Sequence, residues 1–293
     1  MNPHPGWSES ETFLRNWHRL HAGATSSCLA DGRAEGGRSS YELLAEVVPA
    51  TGKGISLLDL GCGDGFLLEC VLSRRQGETH AIGVDISTDE LALARGRAGL
   101  VSVDLRCERA QSLSIADASI DYVLSHMAFM LMDGIEGVVR EVARVLRAGG
   151  TFSAVVSGAL PLDKATPGDA MSIFVQLQRR LLERSGAKLP SMGDPRTRSS
   201  HGVRALLGRA SGFVEPIMVR EVQLRLEHTP ARIFDILSST YPFDLLSDED
   251  RRDLERDFLA QVIPLADARG HVGCTFGLLQ FTCVRDERDL ESG

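Results

Sequence analysis

Residues 57–66, LLDLGCGDGF, constrain the fold of this chain more than any other segment. An apolar run typical of a buried strand leads directly into Gly61, Gly63 and Gly65, and apolar residues at helical spacing follow from Phe66. Alternate glycines allow a tight turn and let a ligand lie against bare backbone at a helix N-terminus. Since a sharp turn alone needs one glycine, the three together predict a ligand site of the nucleotide-binding type.

Two aspartates accompany this turn. Asp85 ends the next apolar run, where a carboxylate can accept both hydroxyls of a ribose. It could instead cap the following helix, although Ser87 and Thr88 are better placed for that. Asp59 lies on the strand just before the turn and is a second candidate ligand, but a carboxylate there often only orders the turn.

Short apolar runs alternate with helical segments from Tyr41 to about Ser157, a pattern typical of βαβ units and a parallel sheet. The helix that begins at Ile135 is predicted to end on Gly149 and Gly150. Predicted strands cover 55–60, 80–86, 101–107, 119–126 and 150–157, followed by two longer ones at 213–226 and 274–285.

Charge and composition exclude several classes of protein. The chain has 293 residues with 40 Asp and Glu against 32 Lys and Arg, a net charge of −8, which disfavours broad binding to nucleic acid or an anionic membrane. No apolar run approaches the ~20 residues that cross a bilayer, and the N-terminus lacks a secretion signal, so we expect a cytoplasmic protein. The six cysteines show neither a CxxC motif nor zinc spacing.

Four segments, LLDLGCGDG, GVDIS, SLSIADASIDYVLSH and EVARVLRAGGTF, together resemble the class I S-adenosylmethionine-dependent methyltransferases. The resemblance covers residues 41–157 well and the later strands loosely. It implies a doubly wound, Rossmann-like α/β fold with seven mostly parallel strands, the last antiparallel, and a helical lid. We expect an N-terminal lid segment at 1–40, a cofactor-binding core at 41–157, and a remainder at 158–293 with substrate-cap insertions at about 158–199 and 227–272.

The same resemblance implies the S-adenosylmethionine ligands. The glycine-rich turn would hold the amino-acid part with support from Asp59, Asp85 would bind the ribose, and Ile86 would lie against the adenine. The family normally places an aspartate near the adenine amino group where this chain has Arg109, which leaves Glu108 or the amide of Ala110 as substitutes. The predicted cofactor residues are Asp59, Gly61, Cys62, Gly63, Gly65, Asp85, Ile86, Arg109, Ala110, Gln111, Ser125 and His126.

Methyl transfer from a sulfonium requires alignment of the acceptor and a free lone pair on it. His126, at the end of the fourth strand, is the candidate general base; the alternative is a contact to the cofactor only. His18, His21, His201 and His228 are predicted to have surface or packing roles. The candidate substrate pocket comprises Phe13, Trp17, Tyr41, Met127 and Met130.

The absence of several motifs narrows the range of possible methyl acceptors. There is no N/D-P-P-Y/F sequence, which methyltransferases use on amide or adenine nitrogens, and no Pro-Cys pair for attack on cytosine. Strands four and five end without metal-binding carboxylates. We therefore predict metal-free transfer to oxygen or nitrogen of a small, largely apolar metabolite, in bacterial specialised metabolism, by a monomer or homodimer. Alternatives are C-methylation, a cofactor-binding scaffold for cyclisation or rearrangement, and, least favoured, a nicotinamide-dependent dehydrogenase.

Overall fold

The computed structural model describes residues 6–158, 168–186, 188, 190–208 and 211–287. Seven strands form one sheet in the order β3-β2-β1-β4-β5-β7-β6. Their bounds are β1 Ile55–Leu60, β2 Thr79–Asp85, β3 Asp104–Cys107, β4 Ile120–His126, β5 Leu146–Ser157, β6 Phe213–His228 and β7 Val272–Arg285.

The strand order confirms the predicted fold. Strands β1 to β5 pair in parallel, and β7 runs antiparallel to both β5 and β6. Strands β2 and β3 are added on one side of β1 and β4 and β5 on the other, so the strand order reverses at β1, and a crevice opens there outside the carboxyl ends of the strands. Alternate side chains of β1 enter different apolar clusters, Leu57 in one and Leu58 in the other, so both faces of the sheet are covered.

Helices flank the sheet and cover its carboxyl edge. The helix Ile135–Val145 has a pronounced apolar stripe, with Val138, Val139 and Val142 buried. The helices are α1 Glu9–His21, α2 Ala24–Leu29, α3 Ser40–Ala45, α4 Phe66–Arg74, α5 Thr88–Arg95, α6 Ile135–Val145, α7 Ala170–Ser185, α8 Ser200–Leu206, α9 Pro230–Ser238 and α10 Asp248–Val262. None of the helices in the described part of the chain is long and apolar enough to cross a membrane.

Two predicted boundaries are wrong. Helix α6 ends at Val145, because Leu146 already has an extended backbone and pairs with Ile120 of β4. The glycines belong to a bulge in β5, where Gly149 has φ 73° and regular pairing resumes at Thr151. The third strand begins at Asp104, because Ala98–Leu100 forms a 3₁₀ turn and Val101 is 86% exposed.

The predicted cap segments contribute a buried aromatic cluster, Phe174 of α7, Phe234 of α9 and Phe258 of α10. The ring centroids lie 5.6 to 6.0 Å apart, and the cluster belongs to the main apolar core. Much of the apolar content of these segments is therefore used for packing among the helices. Ile263, an apolar residue of the second predicted cap segment, is 58% exposed.

We expect Phe258→Ala to lower the free energy of unfolding by about 3 to 5 kcal/mol, because the side chain is fully buried and its loss leaves a cavity. Ile263→Ala is the matched control, with an expected change within about 0.5 kcal/mol. Urea unfolding measures both values. A small loss at Phe258 would contradict its place in the core.

Candidate cofactor site

Two adjoining cavities occupy the crevice at the carboxyl ends of β1, β2 and β4. They share a wall made of His18, Gly61, Asp85, Ala128 and Leu131. The first is also lined by Glu11, Leu14, Leu60, Val84, Ile86, Glu108, Ala110, Gln111 and Met132. The second is also lined by Gly23, Thr25, Ser26, Tyr41, Asp59, Cys62, Gly63, Asp64, Phe66, Leu67, Glu90, His126, Met127 and Tyr241.

The glycine-rich turn needs its glycines for two different reasons. Gly61 has φ 76°, and a Cβ there would lie 2.3 Å from the Cβ of Ala128, so the backbone itself forms the cavity wall. Gly65 caps α4 with φ 78°, and its Cβ would meet Leu100 at 2.4 Å. Gly65 therefore permits helix packing, and it lines neither cavity.

Asp85 is fixed by backbone amides from both sides. One carboxylate oxygen accepts from the amide of Gly63 and the other from that of Ser87, each at 2.8 Å. Burial raises the pKa of Asp85, although both hydrogen bonds oppose that rise. Ser87, not Asp85, is the N-cap of α5, because its hydroxyl accepts from the amide of Glu90. Asp85 is thus free to present its remaining lone pairs to the cavities.

Asp59 is a buried carboxylate whose charge is not stabilised by a hydrogen bond from the described residues. Its side chain is 1% exposed, and neither oxygen has a hydrogen-bond partner among the described residues. Burial, with the nearby charges of Asp85 and Asp64, raises its pKa well above the ordinary value. An ammonium or sulfonium group in the second cavity would supply the missing charge, so these residues fit S-adenosylmethionine.

His126 is held by its neighbours and is kept neutral. Its Nε2 lies 2.9 Å from the hydroxyl of Ser40, and its ring stacks on Tyr41 with centroids 3.7 Å apart. Burial lowers its pKa to about 3, and its Nδ1 has no partner among the described residues. Ser125, by contrast, points away from both cavities and donates to the carbonyl of Leu60 at 2.7 Å.

The residues that follow β3 differ in whether they line the first cavity. Ala110 and Gln111 line the first cavity, as does Glu108, the proposed substitute for the missing aspartate. Arg109 does not, because its Nε donates at 2.9 Å to Glu11. The amide nitrogen of Gln111 donates to the carbonyl of Asp133 at 2.6 Å. Besides Gln111, the residues of this segment that line the first cavity are therefore Glu108, with its carboxylate, and Ala110, with its backbone.

Of the five predicted substrate-pocket residues, two line a cavity and three do not. Tyr41 and Met127 line the second cavity, where Met127 has φ 56°, an unusual conformation for a side-chain-bearing residue. Phe13 and Trp17 instead pack against Tyr241, with centroids 6.1 and 4.5 Å away. Met130 is buried in the apolar cluster beside the sheet.

Helix α1 lines the first cavity through Glu11, Leu14 and His18, none of which is among the predicted site residues. Arg15 donates to the carbonyl of Ile86 at 3.1 Å, and Ser8 to Asp133 at 2.5 Å. His18, predicted to be a surface or packing residue, lines both cavities, and Tyr241 lines the second. The one sequence signal for this helix is the capping box formed by Ser8 and Glu11.

Comparison with known proteins identifies the core. Residues 58–154 match the family model described as a methyltransferase domain. The chain is 37% identical over 139 residues to methyltransferase GfsG of Streptomyces halstedii, which covers 44% of this chain and 48% of that protein. It spans only 33% to 53% of the length of the first curated relatives that it matches.

Two solved structures share the fold at low sequence identity. The [4+2]-cyclase SpnF gives a TM-score of 0.57 at 18% identity, covering 95% of this chain and 97% of that one. Phosphoethanolamine N-methyltransferase 2 of Haemonchus contortus, in complex with S-adenosylmethionine, gives 0.55 at 17%, covering 96% and 61%. The two solved structures share the fold, and the family match over residues 58–154, together with the glycine-rich turn, shows that this chain carries a methyltransferase domain of the class I S-adenosylmethionine-dependent family.

Proposed function

We propose that this protein transfers a methyl group from S-adenosylmethionine to an oxygen or nitrogen of a small, largely apolar metabolite, without a metal ion. Two aspartates beside the glycine-rich turn carry the proposal: Asp85 is held by two amides, and Asp59 is a buried carboxylate with no hydrogen-bond partner among the described residues. Asp85 suits a ribose and Asp59 suits a cationic amino-acid part.

The first cavity suits the adenine. Its walls include Leu14, Ile86 and Leu131, which offer flat apolar surface to an aromatic ring. Glu108 also lines this cavity, and its two carboxylate oxygens accept from the amide of Ser114 at 2.9 Å and from the hydroxyl of the same residue, which fixes the side chain. We propose that Glu108 and the backbone at Ala110 recognise the adenine amino group.

The second cavity supports a neutral or amine-bearing acceptor with apolar bulk. Tyr41, Phe66, Met127 and Tyr241 provide aromatic and thioether surface. The acidic side chains that line both cavities disfavour a polyphosphate such as nucleic acid. S-Adenosylmethionine supplies the activated methyl group when bound, and the protein must align the acceptor and exclude water.

We propose that His126 positions the acceptor as a neutral hydrogen-bonding group and does not serve as the general base. A base acts best when its pKa lies near the working pH, whereas burial holds that of His126 at about 3. Its Nδ1 has no hydrogen-bond partner among the described residues, and its ring lines the second cavity beside Tyr41, so Nδ1 is the polar atom that we assign to the acceptor contact. An amine acceptor would enter neutral, and a phenol would lose its proton to solvent or to another group.

Mass spectrometry of metabolites incubated with the protein and S-adenosylmethionine tests the proposal. A product heavier by one CH₂ group, with loss of the signal when Asp85 is replaced, would support methyl transfer. Tight cofactor binding with a rearranged product of unchanged mass would instead support the scaffold alternative. Calorimetry with NAD tests the dehydrogenase alternative, which the antiparallel β7 already disfavours.

We expect Asp85→Ala to weaken S-adenosylhomocysteine binding by about 1 to 3 kcal/mol, through lost hydrogen bonds to the ribose. Asp121→Ala is the matched control, because Asp121 also accepts a backbone amide, from Ser56 at 2.7 Å, but lies near the opposite end of β4. Calorimetry should show less than a twofold change for the control. Equal losses in both variants would contradict a ribose contact.

The low pKa of His126 predicts a pH-dependent stability. The unfolded chain takes up a proton near pH 6.5, whereas the folded ring stays neutral down to about pH 3, so acidification below 6.5 favours unfolding. Between pH 7 and pH 5 the wild type should lose about 2 kcal/mol more than His126→Asn, which has no such titration. Urea unfolding at both pH values measures the difference, and parallel losses would show that the ring is protonated in the fold.

A further inference from the structure

His18 lies where the two cavities meet, and methyl transfer as described above gives it no role. Its Nδ1 is 2.7 Å from a carboxylate oxygen of Glu90. Glu90 is itself buried, and both of its oxygens also accept from the amide of Gly23 at 3.1 Å. The imidazole is therefore held in one orientation by a carboxylate that is anchored to the backbone.

The charges around His18 are almost all negative. The second cavity is lined by Asp59, Asp64, Asp85 and Glu90, and the first also by Glu11 and Glu108. Among the described residues that line the two cavities, the basic side chains are His18 and His126, and burial keeps His126 neutral. His18 is thus the one lining side chain that can meet an anion with a positive charge.

The backbone of the glycine-rich turn leaves few donors for an anion. The amides of Gly61 and Cys62 both donate to the carbonyl of Val84, at 2.8 and 3.0 Å. The amide of Gly63 donates to Asp85, and that of Gly65 to the carbonyl of Cys62 at 2.9 Å. None of these four amides is left for an anion, so a carboxylate bound beside this turn is favoured by a side-chain donor.

We propose that His18 binds the carboxylate of the cofactor's amino-acid part, while Asp59 faces its ammonium group. The inference rests on the proposed use of S-adenosylmethionine. With Glu90 accepting the Nδ1 proton, a protonated ring retains an Nε2–H that can donate to the ligand. Since His18 belongs to α1, this contact also couples cofactor binding to the position of the helix that covers the first cavity.

Calorimetry with S-adenosylmethionine and its decarboxylated analogue tests the assignment, because the analogue lacks only this carboxylate. We expect His18→Ala to weaken binding of S-adenosylmethionine by about 10- to 100-fold, the usual effect of losing a hydrogen bond to a charged group. The analogue should bind wild type and variant within about twofold of each other. His18→Gln, which retains an N–H donor without the charge, should fall between wild type and His18→Ala with S-adenosylmethionine.

His21→Ala is the matched control for a general loss of α1. His21 lies on the same helix, stacks on Trp17 and pairs with Asp244 at 2.8 Å, but lines neither cavity. Equal losses for both ligands in His18→Ala would show a structural role and overturn the proposal, as would no loss for either. Failure of the wild type to bind either ligand would instead overturn the cofactor assignment itself.

Discussion

The hydrogen bond from the amide of Gly63 to the carboxylate of Asp85 connects the two halves of the cofactor site. Gly63 belongs to the turn after β1, and Asp85 ends β2, so this bond fixes the turn against the neighbouring strand at 2.8 Å. The amides of Gly61 and Cys62 reinforce it by donating to Val84, the residue before Asp85. These hydrogen bonds to β2 therefore fix the position of the turn, and they keep its peptide groups at the border of the crevice.

This arrangement explains why the core could be predicted from sequence. The turn, the strand before it and Asp85 are close along the chain, and their roles depend on φ angles and strand ends that individual residues specify. The antiparallel β7 is likewise an expectation from the family resemblance that the structure confirms. The end of α6 was misplaced because Gly149, a plausible helix stop, proves to be the positive-φ residue of a bulge in β5.

The contacts that place α1 against the site could not be predicted in the same way, because they join residues far apart in sequence. Glu11 meets Arg109 across 98 positions, and His18 meets Glu90 across 72. No local pattern distinguishes His18, which lines both cavities, from His21, which lines neither. Similarly, Tyr41 and Phe13 are both aromatic residues of the N-terminal region, yet only Tyr41 faces the second cavity. Side-chain direction at these positions is set by packing, not by periodicity.

The acidic character of the crevice has a consequence for turnover. Asp59 and Asp85 are buried, and burial raises the pKa of both, so an unpaired charge on either is costly. A sulfonium lowers that cost, whereas the thioether that remains after methyl transfer carries no charge at sulfur and does not. The electrostatic preference of the cavity therefore falls on the methyl donor and not on its product. If Asp59 and Asp85 bind the donor as proposed, they favour replacement of spent cofactor by fresh donor, and His18 would retain the amino-acid part of both species through its carboxylate. Selectivity for the donor over the product would then depend on Asp59 and Asp85. Retention of either species would depend on His18, and therefore on the position of α1.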